Sequence, residues 1–442
     1  MTLKGTQALV VGMKKSGVAS ASLLLREGAV VRATDLNPLE TLVGVAELGI
    51  PFALQSPQVF EGADLIVLSP DVPTDLAPLE AARRRGVRVI GEVELAAPFL
   101  KGRTIGITGS NGKTTTTSLI GHILRESAVT VQVGGNIGLA VTAMIDSSRD
   151  DGWNVLELSS FQLETISEFH AEIALALNVT QNHLDRHRTF ENYAAAKARL
   201  FETQRPGDLA VLNAEDPVCV SYAARTAATV QWFSSLRKVE PGATLCGDKL
   251  VVGGKLLMAA GEIPIRGRHN IENVLAAAIA ASRVGVAHAD IAAAVRTFRA
   301  VEHRLEFVRT VRGVDFYNDS KATSVDATLK ALDAFTSGLW VILGGKDKGS
   351  DYRTLRGPLA AKARAALLIG AAADKIAGHL QGAVELVGAG TIEGAIAHAM
   401  AHAKPGDTVL LAPACASFDQ FQSYEHRGRV FKEIAQQVRE ED

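Results

Sequence analysis

The sequence predicts an α/β protein of three domains: Rossmann-like at the N-terminus, P-loop ATPase-like in the centre and Rossmann-like again at the C-terminus. Three observations carry this reading. Short aliphatic runs alternate with stretches long enough for crossover helices, the pattern of parallel sheets. A chain of 442 residues at roughly 150 per domain makes about three domains. A glycine-rich phosphate-loop sequence lies in the second of the three segments 1–92, 93–299 and 300–442.

Charge and cysteine usage bound the function. The 46 basic and 48 acidic residues leave a net charge of −2, so no global field favours nucleic acid or an anionic membrane surface. Cys219, Cys246 and Cys415 are widely spaced with no C-x-x-C, which argues against a disulfide framework or a zinc site. No run reaches the roughly 18 apolar residues that span a bilayer, and Met1 to Gly5 lead straight into a strand without a secretion signal. A soluble, cytoplasmic monomer acting on small molecules is expected, with no nucleic-acid partner and no membrane insertion.

In the first segment, Gln7 to Val11, Val30 to Thr34, Asp64 to Leu68 and Val87 to Ile90 read as strands of a parallel sheet. Gly12-Met13-Lys14-Lys15-Ser16-Gly17 follows the first strand and Asp35 ends the second, the layout of a dinucleotide-binding turn with Lys14 in place of its middle glycine. A diphosphate held by N–H groups and Ser16, with Asp35 near a base or ribose, suits a nucleoside diphosphate sugar better than a dinucleotide. A turn that only packs helix on strand is the alternative.

The middle segment carries Gly106-Ile107-Thr108-Gly109-Ser110-Asn111-Gly112-Lys113-Thr114-Thr115, between a strand from Arg103 to Ile107 and an apolar-periodic helix from Leu119. Glycines here let the backbone aim N–H groups at phosphate oxygens, Lys113 reaches the β/γ-phosphates, and the Thr114 hydroxyl suits Mg²⁺. Position 107, glycine in the strict pattern, is Ile. Trp153 to Ser160 reads as a buried strand with one carboxylate, Glu157, where P-loop enzymes keep a magnesium ligand. Ile173 to Val179 reads as a strand ending at a polar cluster that contains His183, on the edge where open α/β sheets bind ligands. In Gly134-Gly135-Asn136-Ile137-Gly138, Asn136 either donates to an anionic substrate or sits in a plain loop. Lys197, in an alanine-rich helix from Asn192 to Phe201, reads as a solvated surface charge. Asn270 or Asn273 either caps a helix from Val274 to Ser282 or contacts adenine.

In the last segment Val314 to Tyr317, Leu339 to Leu343, Ala366 to Ile369, Val384 to Val387 and Thr408 to Leu411 form a second open sheet. Polar clusters follow three of them, at 318–323, 344–348 and 413–421, and their lysines and hydroxyls suit a carboxylate-bearing substrate. Arg304 is placed to reach phosphate. Cys415 as a thiol nucleophile has no histidine beside it in sequence.

Thr108 to Thr115, Glu157-Leu158-Ser159-Ser160-Phe161-Gln162-Leu163, Asn182-His183-Leu184-Asp185-Arg186-His187, Gly267-Arg268-His269-Asn270, Glu302-His303-Arg304 and Asn318-Asp319-Ser320-Lys321-Ala322-Thr323 together resemble the ATP-dependent Mur ligases of peptidoglycan synthesis. The resemblance spans essentially the full chain and is strongest to the branch that joins D-glutamate to UDP-N-acetylmuramoyl-L-alanine through an acyl phosphate. It implies ATP with Gly109, Ser110, Asn111, Gly112, Lys113, Thr114, Thr115, Asn273, Arg304 and Asp319 around it. Two Mg²⁺ are implied at Thr114, Glu157, His183 and Lys197, with Lys197 carbamylated, and Lys113, Glu157, His183 and Lys197 are the implied catalytic set. The UDP-sugar is assigned to Ser16, Asp35 and Asn136, and D-glutamate to Lys321, Thr323, Lys348, Ser417 and Tyr424. Tyr424 and the pair Leu36-Asn37 depart from the family's usual residues. Three other readings remain open: a nucleotide-dependent oxidoreductase, against which Lys14 and the intact Gly-Lys-Thr count; a non-enzymatic P-loop switch or binding module, which would not need the Asn318-to-Thr323 and Ala414-to-Phe421 clusters; and a sister Mur ligase taking another amino acid.

Overall fold

The computed structural model describes residues 3–265, 267–299 and 302–440, and of Asp185 the backbone alone. Three sheets organise it. The first has the parallel order Phe52–Leu54, Val30–Asp35, Gln7–Val11, Leu65–Leu68, Arg88–Gly91, a doubly-wound order whose strand direction of travel reverses beside Gln7–Val11. Gly12 turns at φ +84°, and the helix Lys15–Arg26 packs so tightly on that turn that a Cβ on Gly17 would lie 1.9 Å from the Gly12 carbonyl oxygen. The two outer glycines of the expected fingerprint are thus required sterically, whatever the turn binds.

The second sheet has nine strands in the order Lys255–Ala259, Lys249–Val252, Gly242–Cys246, Thr229–Ser234, Leu209–Asn213, Ile173–Ala176, Arg103–Thr108, Trp153–Glu157, Val131–Gly135. Its first two strands are antiparallel additions to a parallel body. All five residues of Trp153–Glu157 are buried, as expected of a strand covered on both faces. The expected strands from Trp153 to Ser160 and from Ile173 to Val179 end early, at Glu157 and Ala176. After Glu157 the Ser159 hydroxyl and Gln162 form a capping box that turns the chain into the helix Ser160–Leu163.

The third sheet runs Glu306–Val311, Val314–Asn318, Thr408–Leu411, Leu339–Gly344, Ala363–Ile369, Glu385–Gly390, parallel except for its first pair. Glu306–Val311 is an edge strand with one buried residue, so it lacks the aliphatic run by which buried strands announce themselves. Two compact units contain these sheets: Met1–Glu262 with Ile271–Arg296, holding the first two, and Ile263–Asn270 with Thr297–Asp442, holding the third. Among the described residues no helix is long and apolar enough to cross a membrane.

Candidate active site

The phosphate loop is built from the strand Arg103–Thr108. Ile107 lies inside it, fully buried and registered against Glu157 and Leu175, which explains an aliphatic residue at that position. The turn follows with Gly109 at φ +148° and Gly112 at φ +82°; a Cβ at Gly112 would meet Asn273 Oδ1 at 2.5 Å. The helix starts at Lys113 and runs to Glu126, not at Leu119, because four buried threonines, Thr114 to Thr117, hide its first turn from any apolar periodicity. Thr114 therefore stands in the first turn, at the positive end of the helix dipole.

Neighbouring segments grip the loop. Ser110 Oγ lies 3.0 Å from the Thr180 carbonyl and 2.9 Å from the Tyr193 hydroxyl. Asn111 donates its N–H to Asn178 Oδ1 at 2.9 Å and accepts from Asn178 Nδ2 at 3.1 Å. Lys113 Nζ folds back to donate to the Gly109 and Ser110 carbonyls at 2.9 and 3.1 Å. Asn273 is buried within the helix Arg268–Val284 and accepts from Thr116 Oγ1 at 3.1 Å. That helix begins ahead of both Asn270 and Asn273, so neither caps it, and Asn273 instead packs beneath the loop.

Lys197 is not the surface lysine its helix suggests. It is 1% exposed, one of a stripe with Tyr193, Ala196 and Leu200 that buries one face of Phe190–Glu202. Its Nζ donates to the Gly109 carbonyl at 2.8 Å, lies 3.5 Å from Thr108 Oγ1, and sits 4.6 Å from the centre of the Tyr193 ring. Burial, then the nearby Lys113 ammonium, holds its pKa well below the usual lysine range.

Glu157 ends its strand 2% exposed. Oε1 accepts from Asn136 Nδ2 at 2.7 Å, and Oε2 has no hydrogen-bond partner. Asn136 is thereby tied to Glu157 through one amide N–H of its side chain, and its own backbone N–H donates to the Glu157 carbonyl at 2.8 Å. His183 adopts a left-handed conformation, φ 53°, and is exposed, its ring 4.9 Å from Phe161. His187, which the sequence reading passed over, is the buried one of the pair: Nε2 lies 2.9 Å from Ser160 Oγ and Nδ1 3.1 Å from Glu164, while burial lowers its pKa. Tyr193 and Asn178 were likewise missed; Tyr193 stands four residues before Lys197, the spacing at which helical side chains meet.

In the first sheet Asp35 Oδ2 accepts the Met13 N–H at 2.6 Å and Oδ1 accepts from the Asn37 N–H and Nδ2, each at 2.9 Å. Burial alone would raise this carboxyl, but those hydrogen bonds hold it below the usual range. Ser16 lies half-buried in the first helical turn, and Lys14 points away to pair with Asp71 at 2.9 Å.

The second unit gathers the rest. Asp319 follows Val314–Asn318, is buried, and has its pKa raised to about 7 by that burial despite Arg304 nearby. Thr323 is half-buried and Ser417 buried, Lys348 is exposed, and Lys321 Nζ lies 5.6 Å from the Tyr424 ring centre. Arg427, another residue the sequence did not flag, is wholly buried. Its guanidinium donates to Ser320 Oγ and carbonyl at 3.0 and 2.8 Å, and to the Cys415 and Ala416 carbonyls at 3.1 and 3.3 Å, tying two of the polar loops together. Cys415 is buried and its pKa raised, the opposite of what a thiolate nucleophile needs. Glu302, His303 and Glu306 form the one metal-like cluster among the described residues, and Lys432 Nζ already bridges its carboxylates at 2.6 and 2.9 Å.

In chemical terms, the first unit holds a helix N-terminus, two loop glycines with positive φ, a lysine resting on loop carbonyls and a buried carboxylate oxygen lacking a donor. That donor set fits a triphosphate and a divalent cation, which supply the anion for the loop and the cation for Glu157.

Comparison with known proteins agrees. Residues 107–281 match the Mur ligase middle domain and residues 303–415 the Mur ligase glutamate ligase domain. The chain is 80% identical to a UDP-N-acetylmuramoylalanine–D-glutamate ligase of Solibacter usitatus over 100% of both chains. It is 52% identical to one of Acidobacterium capsulatum, covering 98% of this chain and 97% of that one. Among solved structures it resembles a pseudomurein peptide ligase type C from Methanothermus fervidus, with TM-score 0.60, 18% identity and coverage of 98% and 100%. It also resembles the UDP-N-acetylmuramate–alanine ligase of Thermotoga maritima, with TM-score 0.59, 19% identity and coverage of 98% and 99%. The chain has the three-domain α/β fold of these enzymes and belongs to the Mur ligase family, in its UDP-N-acetylmuramoylalanine–D-glutamate ligase branch.

Proposed function

We propose that the protein is the ATP-dependent ligase that adds D-glutamate to UDP-N-acetylmuramoyl-L-alanine in peptidoglycan synthesis, as a cytoplasmic monomer serving cell-wall growth, cell shape and division. The observation that carries this reading is 80% identity over the whole chain to a ligase of that name. The γ-phosphate of ATP passes to the L-alanine carboxylate. The D-glutamate amine then attacks the acyl phosphate, forming the amide and releasing phosphate. The alternatives, an oxidoreductase or a sister ligase for another amino acid, have no comparable support.

Residues 1–92 hold the UDP-sugar through Ser16 and Asp35, with Asn136 of the middle segment added to that site; residues 93–299 form the ATP domain, and residues 300–442 take the amino acid. The Gly109-to-Thr115 loop, Asn273, Arg304 and Asp319 bind ATP, with Lys113 on the β/γ-phosphates. Lys321, Thr323, Lys348, Ser417 and Tyr424 bind D-glutamate. Thr114, Glu157, His183 and Lys197 serve two Mg²⁺, whose chemistry is to neutralise charge where a triphosphate and carboxylates meet. An ammonium at Lys197 would repel those ions. Its depressed pKa instead supports carbamylation: the neutral amine adds to CO₂, loses a proton and becomes an anion with two oxygens. The test is ADP formation across a panel of amino acids and UDP-muramoyl acceptors. Turnover that requires D-glutamate and the L-alanyl acceptor is expected; equal turnover with a diamino acid would reassign the protein to a sister ligase.

A further inference from the structure

The segment 345–350 carries Lys346 and Lys348, both exposed, with Asp347 between them. A dicarboxylic substrate drawn to these lysines would meet a carboxylate in their midst. The structure deals with that carboxylate. Asp347 Oδ2 accepts from Lys375 Nζ at 2.6 Å, and Oδ1 accepts from the Tyr352 hydroxyl at 2.7 Å and the Ser350 N–H at 3.1 Å. The Lys375 bond, then the Tyr352 and backbone bonds, hold the Asp347 carboxyl far below its ordinary range, so it stays an anion cancelled by one ammonium.

The same chain of contacts continues inward. Tyr352 is completely buried and its hydroxyl also lies 3.0 Å from Cys415 Sγ, two residues before Ser417. The two loops are sewn at the backbone as well: the Lys346 N–H donates to the Ala416 carbonyl at 2.8 Å and the Ala416 N–H to the Lys346 carbonyl at 3.2 Å. Gly345 allows this approach, since a Cβ there would lie 2.2 Å from the Ala416 oxygen. Cys415 thus acts as packing for a tyrosine, which accounts for its buried thiol without any covalent role.

We propose that Lys375, Asp347 and Tyr352 are positioning residues for the amino-acid substrate: they lock the Lys348 loop to the Ser417 loop and cancel the Asp347 charge next to Lys348. This rests on the reading that Lys348 and Ser417 hold D-glutamate. Lys375→Met leaves Asp347 uncancelled, and Tyr352→Phe keeps the ring while removing its hydroxyl. Each is expected to raise the KM for D-glutamate about fivefold, the size of one lost hydrogen bond. The KM for ATP and kcat at saturating D-glutamate stay within about twofold, and Lys375→Arg restores the wild-type KM. Lys375 is 38% exposed, so its variants will fold even if Tyr352→Phe does not. Lys348→Ala, assayed alongside with Thr323→Ala, separates the two ways to fail. A raised D-glutamate KM in Lys348→Ala with wild-type KM in Lys375→Met overturns the positioning role alone. An unchanged D-glutamate KM in Lys348→Ala overturns the site reading and the positioning role with it.

Discussion

Lys197 and Arg427 are both cations withdrawn from water, 1% and 0% exposed, and neither makes an ion pair among the described residues. They are otherwise opposites. Arg427 points four hydrogen bonds at two loops, and although burial lowers its pKa to about 10 it remains charged at neutral pH. A planar guanidinium with several fixed donors suits a permanent clamp. Lys197 has one carbonyl at hydrogen-bonding distance and a hydroxyl at the limit of it, beside a second ammonium. Its proton is poorly held, so the nitrogen is poised for chemistry. Equal burial therefore says little about role; the number of acceptors facing the cation separates a scaffold from a reactive group.

The largest expected effect tests the second ammonium, which adds to burial in lowering the Lys197 pKa. Lys113→Ala removes the phosphate clamp, and turnover falls by roughly 10³-fold with an unchanged circular dichroism spectrum; a melted spectrum would make Lys113 a structural residue like Arg427. Next, Lys197→Arg keeps a charge but cannot form the carbamate, and activity drops by roughly 10²-fold. Wild-type activity also falls when CO₂ and bicarbonate are stripped and returns when they are restored. Wild-type rate for Lys197→Arg at limiting Mg²⁺ would sink the carbamate.

Stability should move in opposite directions at the two sites. Arg427→Met removes four hydrogen bonds and strands the Ser320 and Cys415 carbonyls, lowering unfolding stability by about 3 kcal/mol, read from the urea midpoint. Lys197→Met, in CO₂-free protein without ligands, raises stability at pH 7 by about 1 kcal/mol. The sign follows from linkage: a folded pKa below 10.5 means the unfolded state binds more protons, so the wild-type penalty is full at low pH. It fades as pH rises toward 10.5. The gain in Lys197→Met should shrink between pH 7 and pH 9.5; a constant gain would show that Lys197 keeps its proton and belongs with Arg427.

The phosphate loop was legible because its chemistry is contiguous: Gly109, Gly112, Lys113 and Thr114 need only their own backbone to suggest a phosphate cradle. The central strands were legible through their aliphatic runs. Strand ends were less so, since a capping box at Ser159 and Gln162 looks like strand continuation until the turn is seen. Asn136 and Asn273 were flagged as polar residues in useful places, yet their partners, Glu157 and Thr116, lie 21 and 157 residues away, and no local pattern encodes such a pairing. Arg427 carried no signal, being one arginine in a polar helix.

By itself, then, the sequence determined the alternation of strands and helices, the glycines at which the chain must turn, and the residue types available for phosphate, metal and carboxylate binding, because all of these follow from local sterics and composition. Only the tertiary structure decided which charges are buried, which atoms face them and which protons they keep. Lys197 reads as a solvated lysine in Asn-Tyr-Ala-Ala-Ala-Lys and becomes an easily deprotonated amine only once the fold withdraws it from water and brings the Lys113 ammonium near. Protonation depends on desolvation and on charges brought close through space, and neither exists until the chain has folded.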